Sequence, residues 1–262
     1  MDVTTIIGLL LGFGAVLGSI VLEGGHLGAF LNLSAFIIVV GGTLGASTVS
    51  FSLDTMLKVP RFLKDAFSQV QIDSVERVRQ ITGLSLKARR DGLLSLEDDA
   101  TAAGEPMMNK GLQLIVDGTE PELTKTVLET ELVVWEQQER LGEQVFINLG
   151  GYAPTMGIIG TVMGLVHALG NVDDPKQMAL AIGSAFMATL YGVAFANLVL
   201  LPIGGKLKSR MEERRTLHEL TIDGLLAIQA GDNPRIVQEK LSTYLSRSDR
   251  TQLQRVAEGG AS

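Results

Sequence analysis

Two apolar runs, residues 146–170 and 179–201, lie either side of a polar link from Asn171 to Met178. Each is about as long as the ~20 residues that a helix needs to cross a bilayer. The pair therefore reads as a transmembrane hairpin. Small residues and hydroxyls, not charges, interrupt the apolar background. Pro154, Gly157, Thr161, Gly164 and Ala168 recur at helical spacing in the first run, and Ala181, Ala185, Thr189, Gly192 and Ala196 do so in the second. Small faces let helix backbones approach closely in lipid, where the apolar effect does not drive association, so these faces read first as packing surfaces. A second reading makes Thr161 and Thr189 the lining of a polar path. A threonine can satisfy its own hydroxyl on a carbonyl one turn back, so two of them do not by themselves define a path.

An ion route through a membrane usually displays an Asp, Glu or Lys inside it, and neither run from Tyr152 to Gly170 nor from Ala179 to Leu201 has one. His167 lies one turn from the link and reads as an interfacial or packing residue. If ions pass along these helices, the carboxylate has to come from another chain.

Residues 4–22 form a further apolar stretch, with no basic segment or cleavage site beside it, and read as a first span instead of a signal peptide. Gly12-Phe13-Gly14 lacks the third glycine and preceding strand of a dinucleotide loop. A short polar link containing His26 leads to a second span, residues 31–51. Lys58, Arg61 and Lys64 follow span two, and Lys206, Lys208, Arg210, Arg214 and Arg215 follow span four. Positive flanks stay in the cytoplasm, which places both termini and the middle segment there. The expected divisions are a first hairpin over 1–51, a cytoplasmic helical domain over 52–145, a second hairpin over 146–204, and cytoplasmic C-terminal helices and tail over 205–262.

In the middle segment, Asp73 or Ser74 caps a helix that carries Val75, Val78, Ile81 and Leu84 on one face and stops at Gly92. A second helix starts near Thr119, with Pro121 in its first turn, and runs through Leu128, Leu132 and Trp135 toward Gly142. Pro202 kinks the exit from span four. A charged helix then continues to Ala230, Gly231 stops it, and Asn233-Pro234 opens another to about Leu245, with residues 258–262 read as a tail.

No catalytic constellation is present. The histidines His26, His167 and His218 are far apart, with no phosphate loop or nucleophile elbow, so the chain reads as a non-enzyme without cofactor or metal. With no cysteine there is no disulfide framework, and a net charge of −7 leaves no basic face for nucleic acid. The run from Lys87 through Arg89, Arg90 and Asp91 to Glu97, Asp98 and Asp99 sets a basic patch before an acidic one. It is either a solvated face or a contact for a moving partner, where steering and easy release matter more than affinity.

Several motifs together resemble the flagellar motor stator A subunit, the MotA/PomA family. They are Ala153-Pro154-Thr155-Met156-Gly157 with Gly160-Thr161-Val162-Met163-Gly164, Asp173-Asp174-Pro175-Lys176, Ala188-Thr189-Leu190-Tyr191-Gly192, Pro202, the run Arg89 to Glu97, and Asp223 to Gly231. The resemblance covers nearly the whole chain. It implies an all-α membrane protein of four spans that forms a ring of A subunits, five in known members, around the spans of two B subunits (MotB/PomB). Each B chain would bring the ion-binding aspartate missing here. By the same resemblance Pro154 and Pro202 are the prolines of conformational coupling, Arg89 and Glu97 are charges that engage the rotor protein FliG, and Arg90 shares that role.

Thr161 and Thr189 are similar to the family's ion-site hydroxyls. Sodium-driven relatives carry threonine at both positions, and hydroxyls can replace part of a sodium ion's hydration shell. The transported ion is therefore expected to be Na+ in preference to H+. Gly151 departs from the pattern, since several relatives have an acid there. The implied function is a stator of the inner membrane that couples cation flow to torque. The alternatives are a TolQ/ExbB-type energiser, which normally has three spans, and a non-conducting membrane scaffold.

Overall fold

The computed structural model describes residues 3–25, 27–68, 73–102 and 104–259, and every regular element among them is helical. In chain order these are α1 (Val3–Leu22), a 3-10 turn (Leu27–Phe30), α2 (Leu33–Ser50), α3 (Leu53–Leu57) and α4 (Val59–Phe67). Then follow α5 (Ser74–Asp91), a second 3-10 turn (Leu93–Leu96), α6 (Glu97–Ala102), α7 (Pro106–Val116) and α8 (Pro121–Leu169). The series closes with α9 (Pro175–Gln229), α10 (Pro234–Ser242) and α11 (Arg247–Gly259). Four of them, α1, α2, α8 and α9, are long and apolar enough to span a membrane, so the all-α, four-span architecture expected from the sequence is the one observed. His26 and the last tail residues, 260–262, fall outside the described residues.

Prolines and polar caps set the boundaries. Of the seven prolines, Pro60, Pro106, Pro121, Pro175 and Pro234 each sit in the first turn of a helix, where the missing N–H costs nothing. The remaining two, Pro154 and Pro202, lie inside helices. Asn32, Ser52, Asp73, Asp174 and Asn233 cap helices with side-chain oxygens. The hairpin link is shorter than the sequence suggests: Asp174 accepts from the Lys176 and Gln177 amides, so α9 already starts at Pro175. Gly92 and Gly231 end α5 and α9 with positive φ, which glycine adopts without strain.

Contacts divide the chain into two compact units, 1–69 with 139–209 and 70–138 with 210–262, so α8 and α9 each supply residues to both. The first unit holds the spans. It has a small apolar cluster of Val145, Phe146, Leu149, Ala153, Ala196, Leu200 and Ile203. The second unit is an ordinary aqueous core in which Ile81, Leu96, Met108, Leu112, Leu128, Leu225, Ile228 and Leu241 are fully buried. Each such side chain contributes about 1.5–3 kcal/mol by leaving water. Helix α7 was not anticipated; its Met107, Met108, Leu112 and Ile115 fill the middle of this core. Helix α8 does not stop near Gly142 but continues to Leu169, since a lone glycine with helical neighbours on both sides costs only about 1 kcal/mol.

Candidate functional site

Within the spanning unit, α8 and α9 meet through their small faces. A methyl group placed on Gly192 would come within 2.5 Å of the Ala153 carbonyl oxygen, and one on Gly157 within 2.7 Å of the Ala188 carbonyl oxygen. Both obstacles are backbone, so neither can move aside. At Gly164 an added methyl would meet the Ala185 methyl at 2.6 Å and its Cα at 3.0 Å. The packing reading of these faces therefore holds.

The same seam brings Thr161 and Thr189 together. Their hydroxyls touch, and the Thr161 hydroxyl is also 3.0 Å from the Gly157 and Ala185 carbonyl oxygens. Residues 28 positions apart thus form one cluster of two hydroxyls and two carbonyls inside an otherwise apolar pair of helices. Both threonines are half-buried. Such a cluster offers oxygens to a cation but no group that can titrate. Gly151 points into open space.

The two internal prolines frame this seam. Pro154 has no N–H for the carbonyl of Gly150, one turn back. Before Pro202 the helix widens: residues Ala196–Leu200 wind as a π-helix, with the Leu201 N–H reaching the Ala196 oxygen. Proline removes the regular bond to Leu198 and crowds its carbonyl, and one wider turn accommodates this.

Sequence reasoning overlooked a polar lock at the far end of the hairpin. Asn32 caps α2, its side-chain amide donates to Ser184 at 2.5 Å, and its backbone N–H donates to the Tyr191 hydroxyl at 2.9 Å; that hydroxyl in turn donates to the Phe30 carbonyl. The usable signals were an asparagine just before an apolar run and a tyrosine within one.

In the second unit the charged run around α5 and α6 sorts itself. Lys87 pairs with Asp99 at 2.6 Å, and Arg90 forks onto its neighbour Asp91. The hydrogen bond from Arg90 lowers the Asp91 carboxyl below its usual value and raises Arg90. Arg89 and Glu97 are exposed and, among the described residues, make no such pair. Of the residues singled out in the sequence, Arg89 and Glu97 thus remain available to a partner, whereas Arg90 is engaged.

A second overlooked cluster stabilises that unit. Arg77 pairs with Glu105 and donates to Thr221, while His218 lies 3.2 Å from Glu105 and edge-on to Trp135. Burial by itself raises the Glu105 carboxyl, but the hydrogen bond from His218 and the Arg77 charge outweigh it and hold the group below 4.5. Nothing near His218 in the sequence signals this cluster, because Trp135 lies on α8 and Glu105 just ahead of α7.

Comparison with known proteins covers nearly the whole chain. Residues 99–219 match the model of the MotA/TolQ/ExbB proton channel family, and residues 6–90 match the motility protein A N-terminal model. Motility protein A of Borreliella burgdorferi is 37% identical over 253 residues, 97% of each chain. The structure of C. jejuni MotAB superposes with a TM-score of 0.90 at 30% identity, covering 94% of this chain and 97% of that one. The flagellar MotAB stator complex from Bacillus subtilis gives a TM-score of 0.89 at 32% identity, covering 95% and 98%.

Proposed function

Because this chain belongs to the motility protein A family and is a stator subunit of the flagellar motor with a B subunit as partner, we propose that its Thr161/Thr189 cluster is the A-subunit wall of the ion path. The observation that carries this reading is the convergence of both hydroxyls and two backbone carbonyls at one point of the α8–α9 seam. Oxygens of this kind can substitute for part of a sodium ion's hydration shell, so Na+ is the favoured ion and H+ the alternative. The B subunit supplies the titrating aspartate. Neutralising that aspartate lets the A ring, a pentamer around two B chains, step between packings of similar energy. Each monovalent ion falling through 100 mV supplies ~2.3 kcal/mol before its concentration gradient is counted.

In this proposal Pro154 and Pro202 are the coupling points, since each interrupts the bond ladder of a span that would otherwise move as one rod. Arg89 and Glu97 engage the rotor protein FliG from the cytoplasmic side, with Arg90 in a lesser role. Both termini are cytoplasmic in the inner membrane, as the basic flanks require. The four spans favour a stator over a TolQ/ExbB-type energiser, which normally has three.

The test is swimming speed against external sodium at fixed pH and membrane voltage, in parent and in Thr161→Val and Thr189→Val strains. Saturable sodium dependence that weakens in both variants is the expected result. A parent indifferent to sodium overturns the ion choice alone, and variants that assemble and behave as the parent overturn the lining assignment, leaving a scaffold role.

A further inference from the structure

His167 is the one side chain in the apolar runs 152–170 and 179–201 that can change its charge near neutral pH. It is not packed away. The residue is exposed, and its ring makes no hydrogen bond or ion pair among the described residues. It lines a cavity of about 250 Å³ between α2, α8 and α9. Toward the hairpin link the polar lining is His167, Ser34, whose hydroxyl is also without a partner among the described residues, and Ser184, which accepts from the Asn32 amide. Toward the middle of the spans the lining is small: Gly164, Ala185 and Ala188. Ala185 joins the cavity to the hydroxyl cluster, because its carbonyl oxygen lies 3.0 Å from the Thr161 hydroxyl. The basic residues that follow α2 and the apolar run of α9 hold those ends in the cytoplasm, so His167 stands on the outer side.

We propose that this cavity is the water-filled outer antechamber of the cation path and that His167 gates it by charge: the neutral imidazole admits a monovalent cation, and the imidazolium repels it. The proposal rests on the reading of Thr161 and Thr189 as the wall of that path. The cavity has room for several waters and polar groups to hold them, so a cation can enter with part of its hydration shell in place. No other charge masks the imidazole there. Neither α2 nor residues 179–201 of α9 carry an acid, lysine, arginine or histidine, and the charged residues beside the link, Asp173, Asp174 and Lys176, do not line the cavity. Two like unit charges about 4 Å apart in water repel enough to change occupancy about fivefold, and more where water is thin.

The chain contains no cysteine, so a single Ser34→Cys reports from the cavity alone. In cells carrying the assembled complex with a cysteine-free B subunit, a cationic and an anionic thiol reagent, neither able to cross the membrane, are applied from outside at about pH 8 and about pH 5, between which imidazoles change charge. The ratio of cationic to anionic modification rates removes the thiol's own pH dependence. It is expected to fall about fivefold on acidification and to stay level when His167→Gln is added. No modification by either reagent, a level ratio with His167 in place, or the same fall with His167→Gln overturns the proposal. Swimming speed separates the gate from the wall. His167→Lys fixes a charge in the cavity and should slow swimming several-fold with the complex assembled at the parent's level. If it swims as the parent while Thr161→Val and Thr189→Val weaken sodium dependence, the antechamber falls and the wall stands; if it slows and the threonine variants behave as the parent, the cavity is the entry and the wall assignment falls.

Discussion

The spanning unit and the second unit are built from the same kind of helix and held together by opposite means. In the second unit, large side chains such as Leu112 and Ile228 interlock and charged groups pair around Glu105. Where the apolar runs of α8 and α9 meet, glycines lie against alanines and backbone, neither run from 152 to 170 nor from 179 to 201 carries an acid, lysine or arginine, and two threonines form a polar cluster in the seam. Water explains the difference. Where it surrounds the protein, removing large apolar surface from it is the dominant gain, and where lipid does, close backbone approach and internal hydrogen bonds are what remain.

The largest effect should come from adding a single methyl group to that seam. Gly192→Ala puts a Cβ 2.5 Å from the Ala153 oxygen and 3.1 Å from the Gly157 Cα, both immovable backbone positions. It is expected to abolish assembled complex and swimming. Gly14→Ala, with no atom within 4 Å, should leave both unchanged. Complex yield on size-exclusion chromatography and spreading in soft agar check the pair. A normal Gly192→Ala strain would mean that the seam is looser than its geometry.

Next in size is the matching lesion in the second unit. Leu112→Ala removes a side chain with no exposed surface and should cost about 2–5 kcal/mol, read as a lowered thermal midpoint of the purified complex. Here a smaller residue harms, whereas in the seam a larger one does.

How far the sequence revealed these units follows from the same contrast. The four spans were legible because lipid imposes length and apolarity on each run by itself. Thr161 and Thr189 were visible as candidates because helical spacing put each on a small face, yet only the structure brings them together. What could not be read depends on distant pairing. Helix α7 is short and its Gly111 packs against Leu128 of α8 and Leu225 of α9, and His218 gives no local signal because its neighbours, Trp135 of α8 and Glu105 just before α7, are distant in sequence. The partition of charges is hidden as well: Lys87 finds Asp99 across a turn and Arg90 takes Asp91, while Arg89 makes no ion pair among the described residues.

A smaller effect is expected from acid. The Glu105 carboxyl is lowered in the folded chain, so the unfolded state binds its proton more readily. The stability it contributes is therefore fully present above its ordinary value of 4.5 and is lost as pH falls through the lowered folded value. Thermal midpoints of the complex should fall over that acid window. Glu105→Gln should flatten the fall, at a cost near neutral pH on the order of 1–3 kcal/mol because Arg77 and His218 lose a charged acceptor. A midpoint that falls as steeply in the variant as in the parent would remove Glu105 from the account.

The smallest expected effect separates neighbouring arginines. Arg90 is exposed and already forked onto Asp91, so Arg90→Ala trades one solvated pair for a solvated carboxylate. Surface pairs of this kind contribute little, and swimming speed should stay close to the parent's. Arg89→Ala removes an exposed cation that no acid among the described residues holds, and should slow swimming at full load without reducing the amount of complex in the membrane. Charge reversal tests the direction of the contact: Arg89→Glu should be worse than Arg89→Ala if the partner surface is acidic, because a like charge repels where the lost one only failed to attract. If Arg89→Ala and Arg90→Ala slow the motor equally, availability within the chain is not what selects the rotor contact, and the second unit presents its whole basic patch as one field.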